Sequence, residues 1–319
     1  MMQIVLIGIG AGAAAALLFA LAASGSMFAL LLFSLAPLPI LIAALGWSHW
    51  AAMVAAVSAA SGLAAVLDFE FFLSFLIGVG VPAWWLGYLA LLARATADPV
   101  SVEWYPVGRL VLWAALIGAM VVALAIPTFG TDKESFHAGL RGLFERAIRL
   151  QTPPGGPDIA NRPETQRAID LLVRVIPATV AIIGTLLNVL NLWLAARIVK
   201  ISGRLRRPWP DLTELALPAS APALLAVAIA CSFLPDLAGV VAGVLAASLL
   251  MAFAIAGFAV LHAITRGMVH RSLALAGAYA AVVFVGWPIL GMALLGLADT
   301  AFHIRARAAR KRGPPSVRT

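Results

Sequence analysis

The strongest constraint on this chain is the recurrence of apolar runs about as long as a bilayer is thick. A membrane-spanning helix needs roughly 17–25 largely apolar residues. Nine candidate runs follow one another: Ile4–Ala23, Met27–Leu45, Ala51–Leu67, Phe71–Ala93, Val107–Pro127, Leu171–Val199, Leu217–Leu234, Ala238–Ile264 and Leu273–Ala298. Over all 319 residues, 63% are apolar and only 11% charged, with a mean hydropathy of +1.01. A soluble fold of this size must turn much of its surface to water and could not hide that much apolar area. The expected fold class is an all-α polytopic membrane protein, a bundle of eight or nine transmembrane helices. A soluble enzyme, a disordered tail and a nucleic-acid-binding domain are excluded.

The charge pattern supports the same reading. The net charge is +8, yet residues 1–93 contain no Lys or Arg. The basic residues gather at 197–207, 266–271 and 305–318, and Lys/Arg clusters beside apolar spans mark cytoplasmic loops. The partners this implies are the lipid bilayer and anionic lipid headgroups, not nucleic acid. The first run looks like a signal peptide only on the surface, because no positive region precedes it and the apolar sequence resumes at Met27. It is read as an uncleaved first helix. The single cysteine, Cys231, rules out a disulfide framework and a multi-cysteine metal site.

Four segments organise the chain: N-terminal transmembrane helices over 1–127, an extramembrane segment at 128–170, C-terminal transmembrane helices over 171–304, and a basic tail at 305–319. Within 128–170, Thr131-Asp132-Lys133-Glu134 reads as a capping box. It opens an amphipathic helix over 131–150, with Phe136, Leu140, Leu143, Phe144 and Ile148 on one face. That helix either lies in the membrane interface or packs over the bundle. A Pro/Gly loop at 153–157 follows.

Counting spans exposes a conflict. With the 197–216 loop cytoplasmic, simple alternation puts the tail outside, yet the tail carries Arg305, Arg307, Arg310, Lys311, Arg312 and Arg318. The positive-inside rule forbids that arrangement. One run therefore cannot be a simple span. The candidates are Leu273–Ala298, broken at Gly286-Trp287-Pro288 into re-entrant halves, and Leu217–Leu234, with Pro218 and Pro222.

Polar residues inside the spans are the best functional pointers, because they avoid lipid and face the bundle or a cavity. Thr185, Asn188 and Asn191 repeat at a spacing of three on one helix face. Either they line a ligand site or they bond helices together. Trp84 and Trp85 lie deeper than an interfacial aromatic belt requires and are candidate pocket walls. Arg197, Lys200, Arg204, Arg206 and Arg207 form the basic cytoplasmic loop. Gly8, Gly12, Ala16 and Ala20 make a small-residue stripe suited to close helix docking. Asp299 is placed to pair with the basic tail. No nucleophile elbow, phosphate-binding loop or metal-ligand spacing occurs. No catalytic residue, metal or cofactor is therefore expected, and the chain is read as non-enzymatic.

The segment from Asn191-Leu192-Trp193-Leu194-Ala195-Ala196-Arg197 through Arg206-Arg207-Pro208-Trp209-Pro210-Asp211-Leu212, with Leu294-Leu295-Gly296-Leu297-Ala298-Asp299, Phe302, Arg305 and Arg307, resembles the YybS-like bacterial membrane protein family (domain of unknown function 2232). The resemblance implies a multi-pass protein of the bacterial inner, or cytoplasmic, membrane. The family is in turn distantly similar to the S components of energy-coupling-factor transporters, small ligand-binding bundles that borrow ATPase subunits. By that likeness Gly12, Ala16 and Ala20 would match the docking stripe, although this chain is longer at its C-terminus. The implied function is transport-related ligand binding with membrane or ATPase partner subunits. The other reading is a scaffold or assembly factor recruiting partners through the basic loop.

Overall fold

The computed structural model of the chain describes residues 1–95, 102–152 and 159–311. The Pro/Gly loop at 153–157 and the last part of the basic tail, including Arg312 and Arg318, lie outside the described residues. Helix is the dominant structure. In lipid no water satisfies the backbone, so each apolar run must bond to itself. Side-chain oxygens start several helices by accepting free amides, as N-caps do. Ser26 accepts from Ala29 N–H at 3.1 Å, Ser48 from Ala51 N–H at 3.3 Å and Asp68 from Glu70 N–H at 2.8 Å.

The helices are α1 Met2–Ala20, α2 Met27–Ser34, α3 Pro37–Gly46, α4 His49–Val66, α5 Phe69–Phe75, α6 Val81–Leu91, α7 Val107–Ala125, α8 Lys133–Gln151, α9 Pro163–Ile201, α10 Ala221–Cys231, α11 Asp236–Ile264, α12 Arg271–Val285, α13 Pro288–Phe302 and α14 Ile304–Lys311. One short antiparallel ladder, β1 Ala93–Ala95 with β2 Val102–Trp104, joins α6 to α7. Among the described residues seven helical stretches are long and apolar enough to cross a membrane, not eight or nine. The shortfall falls on the two doubtful runs. Leu217–Leu234 yields only the 11 residues of α10, and Leu273–Ala298 splits into α12 and α13 of 15 residues each. At 1.5 Å per residue these reach about 16 Å and 22 Å, against a hydrocarbon core of about 30 Å. α9 has the opposite excess: its 39 residues extend about 58 Å. Apolar side chains remain exposed on the helices, among them Phe28, Leu17 and Phe284 at 70%, 69% and 86%. Lipid is the solvent that tolerates such a surface.

The chain divides into two compact units: Met1–Ala114 with Leu186–Ala219 and Ala252–Thr319, and Ala115–Thr185 with Ser220–Met251. This does not follow the division at 127 and 171, because α7, α9 and α11 each supply residues to both units. In the first unit α1 lies directly on α4. A Cβ on Gly12 would sit 2.2 Å from Ser58 Oγ and 2.6 Å from the Ala55 carbonyl oxygen, so only glycine admits this approach. In the second unit α8 buries Phe136 and Leu140 against Ile126, Ile169 and Val173. Most of its apolar face is thus covered by protein, with Leu143 left exposed. The cap sits one residue later than the sequence suggests. Asp132, a stronger N-cap than Thr, accepts from Ser135 N–H at 2.9 Å, and Ser135 Oγ accepts from Asp132 N–H at 3.2 Å.

The first unit also shows how the run broken at Gly286 folds. Gly286 turns with φ of 81°, a left-handed conformation that favours glycine, and Pro288 starts α13. α13 then returns along α11, where a Cβ on Gly296 would lie 2.0 Å from the Phe253 carbonyl oxygen. At the end of this hairpin Arg305 reaches the 213–215 backbone, while Arg266 pairs with Asp211 at 2.8 Å. The hairpin leaves and returns at one end, so the 197–216 loop, Arg266 and Arg305 lie together. The Gly286-Trp287-Pro288 break thus turns the chain back on itself, the geometry expected of re-entrant halves.

Candidate functional site

The site begins with the loop that follows α9. Gly203, with φ of 71°, ends the helix just past Ile201, and the chain folds back across its own end. Arg207 holds this fold, donating to the Tyr105 carbonyl at 2.7 Å and the Ala90 carbonyl at 3.4 Å. Burial pushes its pKa down, with no carboxylate among the causes. Asp211 accepts from Thr213 N–H at 2.9 Å and pairs with Arg266, and these bonds hold its carboxyl at a pKa of about 2.

Arg305 secures the far edge of the loop. Its Nε and Nη2 donate to Asp299 Oδ2 at 2.9 and 2.7 Å, and its Nη1 donates to the Thr213 and Leu215 carbonyls at 2.7 and 2.9 Å. Asp299 is 6% exposed and also accepts the Arg305 backbone N–H at 2.9 Å. The expected pairing of Asp299 with the tail is present, and it ties the tail to the loop.

Under this loop lies a cavity of about 500 Å³, wholly within the first unit. Its walls are apolar side chains from α7, α9 and α11, such as Val111, Leu186, Leu190, Trp193, Ile255 and Phe258. The few polar groups concentrate at Arg207, Thr213, His262 and Tyr279. His262 Nε2 and Tyr279 Oη lie 3.0 Å apart, and Phe258 stacks on the Tyr279 ring at 4.8 Å, which fixes α12 against α11. A volume of this size with apolar walls and a few polar groups suits a small ligand. Trp209 also lines the cavity, with Lys200 Nζ 4.6 Å and Arg197 Cζ 5.7 Å from its ring centroid. These are cation–π distances. Arg204 stacks likewise on Trp47 at 4.7 Å, and Arg206 is exposed. No carboxylate among the described residues lies within 4.0 Å of Arg197, Lys200, Arg204, Arg206 or Arg207, whereas Arg266 and Arg305 are paired.

The polar residues singled out in the sixth span do not line this cavity. Asn191 Nδ2 donates to the Ser34 carbonyl at 2.9 Å. That carbonyl is free because α2 stops at Ser34, and Leu38 N–H, its helical partner, bonds Leu35 instead. Asn188 Nδ2 donates to the Ala114 carbonyl at 3.3 Å, and Thr185 Oγ1 to the Ala181 carbonyl of its own helix at 2.8 Å. Thr185 and Asn191 are buried and Asn188 half-buried in these contacts, while the flank of α9 carrying Leu186, Leu190 and Trp193 faces the cavity. Trp84 and Trp85 lie outside the lining too, in an aromatic cluster where Trp85 meets Trp113 edge-on at 5.4 Å. Gly8 and Gly12 face α4 of the same chain, Ala16 is half-buried and Ala20 exposed. The stripe therefore packs this fold together at Gly8 and Gly12.

Sequence reasoning passed over Trp209, His262 and Tyr279. Pro208-Trp209-Pro210 directly after a basic run was a usable signal, since it sets an aromatic rigidly beside cations. Nothing local marks Tyr279, which reaches the cavity only through the α12–α13 hairpin.

Among the described residues no three His, Cys, Asp or Glu side chains gather as a metal site. No curated protein and no solved structure matches the chain. The family model described as "Predicted membrane protein (DUF2232)" matches residues 13–300, which include the turn at Gly286 and the whole cavity lining, and the chain is a multi-pass membrane protein belonging to that family.

Proposed function

We propose that the chain is a non-enzymatic, transport-related protein of the bacterial inner membrane that takes a small apolar or amphipathic ligand into the cavity beneath the 197–216 loop. The observation that carries this reading is the 500 Å³ apolar cavity with its few polar groups at one end. The loop, Arg266 and the start of the tail are cytoplasmic in this reading, since basic segments gathered at one end satisfy the positive-inside rule. It is also in keeping with an S-component-like role, with one change. Gly8 and Gly12 are covered by α4, so an ATPase partner subunit would dock on another surface.

The test is purification from native membranes with mass spectrometry of retained small molecules. A discrete ligand is expected with the wild-type chain and is lost in Ala196→Phe, which fills the cavity wall. Retention of the same molecules by that variant would refute the reading. A second reading, a scaffold recruiting soluble partners, draws on the exposed, unpaired Arg206 and on Arg204. It predicts a pull-down that Arg204→Ala with Arg206→Ala abolishes and Ala196→Phe leaves intact.

A further inference from the structure

The cavity has a chemical polarity that narrows its ligand. Along α9 the lining runs from Ala196, beside the cation Arg197, to Leu186. The eleven helical steps from Arg197 to Leu186 span about 17 Å, close to half of a hydrocarbon core of about 30 Å. The cavity thus has the depth of one leaflet, with its apolar walls inward and its cations at the boundary. Lys200 and Arg197 sit on the Trp209 ring, and Arg207 enters the lining itself. Within the described residues these three charges have no carboxylate partner, although Asp211 and Asp299 on the same loop and tail are each committed to another arginine. Unneutralised cations at the rim of an apolar slot complement an anionic head on an apolar tail. A nucleic acid or acidic peptide would match the charges but leave the slot empty. A neutral hydrocarbon would fill the slot but leave the charges unmatched.

Resting on the reading that this cavity is the ligand site, we infer that its occupant is an anionic phospholipid, with the headgroup against Arg197, Lys200 and Arg207 and the chain between α7, α9 and α11. The source is the bilayer, not free phosphate, because the apolar walls account for most of the site.

The experiment is native mass spectrometry of the purified full chain titrated with phosphatidate, phosphatidylcholine and inorganic phosphate. Arg207 also pins the loop backbone, so the headgroup variants are Arg197→Gln and Lys200→Gln, both exposed and with their thermal midpoints checked. Phosphatidate is expected to bind in preference to phosphatidylcholine, the preference falling roughly fivefold per cation removed. Ala196→Phe should abolish binding of both lipids. Equal binding of the two lipids by the wild-type chain overturns the headgroup assignment while leaving the cavity as a ligand site. Inorganic phosphate binding as tightly as phosphatidate, and surviving Ala196→Phe, overturns it in favour of a surface anion site. Failure of both lipids to bind overturns this inference, while the cavity reading stands or falls on the small molecules retained from native membranes.

Discussion

Replacing Arg305 by alanine removes a side chain that joins the α12–α13 hairpin, the tail and the loop over the cavity. Arg305 and Asp299 are 17% and 7% exposed as side chains, and Arg305 makes four side-chain contacts, two to the carboxylate and two to carbonyls. Its loss leaves an enclosed carboxylate with only a backbone donor and two carbonyls without theirs. Removing one partner of a buried, hydrogen-bonded pair costs about 3–5 kcal/mol. At about 2 °C per kcal/mol for a chain of this length, the thermal midpoint should fall by roughly 6–10 °C. Pairing Arg305→Met with Asp299→Asn removes the stranded charge and should recover more than half of the loss, because an apolar replacement of an ion pair is often near neutral. The assay is thermal unfolding in detergent together with trypsin cleavage at Arg204 and Arg206, which should quicken in the single variant. If Arg305→Ala melts with the wild type and is cut no faster, the proposed latch does not hold the loop.

Other consequences follow from single contacts. Gly12→Val drives side-chain atoms into Ser58 and the Ala55 carbonyl. It should cost at least about 1–3 kcal/mol, read as reduced yield and a lower melting point, whereas Gly10→Val, in open space, should be silent. Asn191→Leu strands the Ser34 carbonyl and should cost about 1–2 kcal/mol by the same melt, without changing lipid binding. Burial, with Lys133 and Arg174 nearby, pulls the His137 pKa below its ordinary value. The folded state thus binds fewer protons than the unfolded one, and stability present above about 6.5 should fall as pH drops through the lowered folded pKa. His137→Gln should flatten that slope in melts across pH 5–8. Single cysteines at Arg206 and Arg307 in a Cys231→Ser background should react with an impermeant thiol reagent from the same face of the membrane. Labelling from opposite faces would refute the re-entrant hairpin.

The solvent, the helical class and most span positions were legible in the sequence, because apolar run length is a local property and lipid permits no other backbone solution. The charge clusters went further and singled out Leu217–Leu234 and Leu273–Ala298, the two runs whose helices are short. That the second folds as a hairpin depended on Arg305 meeting residues 213 and 215, some ninety positions away. The binding surface was less legible. Thr185, Asn188 and Asn191 carried the visible polar signal, but a polar side chain in lipid is drawn to the nearest unsatisfied carbonyl, and Asn191 found one at Ser34 through a break 157 residues distant. The cavity is lined mainly by leucine, valine and tryptophan that in sequence look like any other lipid-facing residue. Composition and run length determined that this chain lives in a bilayer and crosses it several times. Only the tertiary structure decided which apolar faces meet lipid and which enclose a space, because that depends on helix pairings set by glycine contacts and by ion pairs between distant segments.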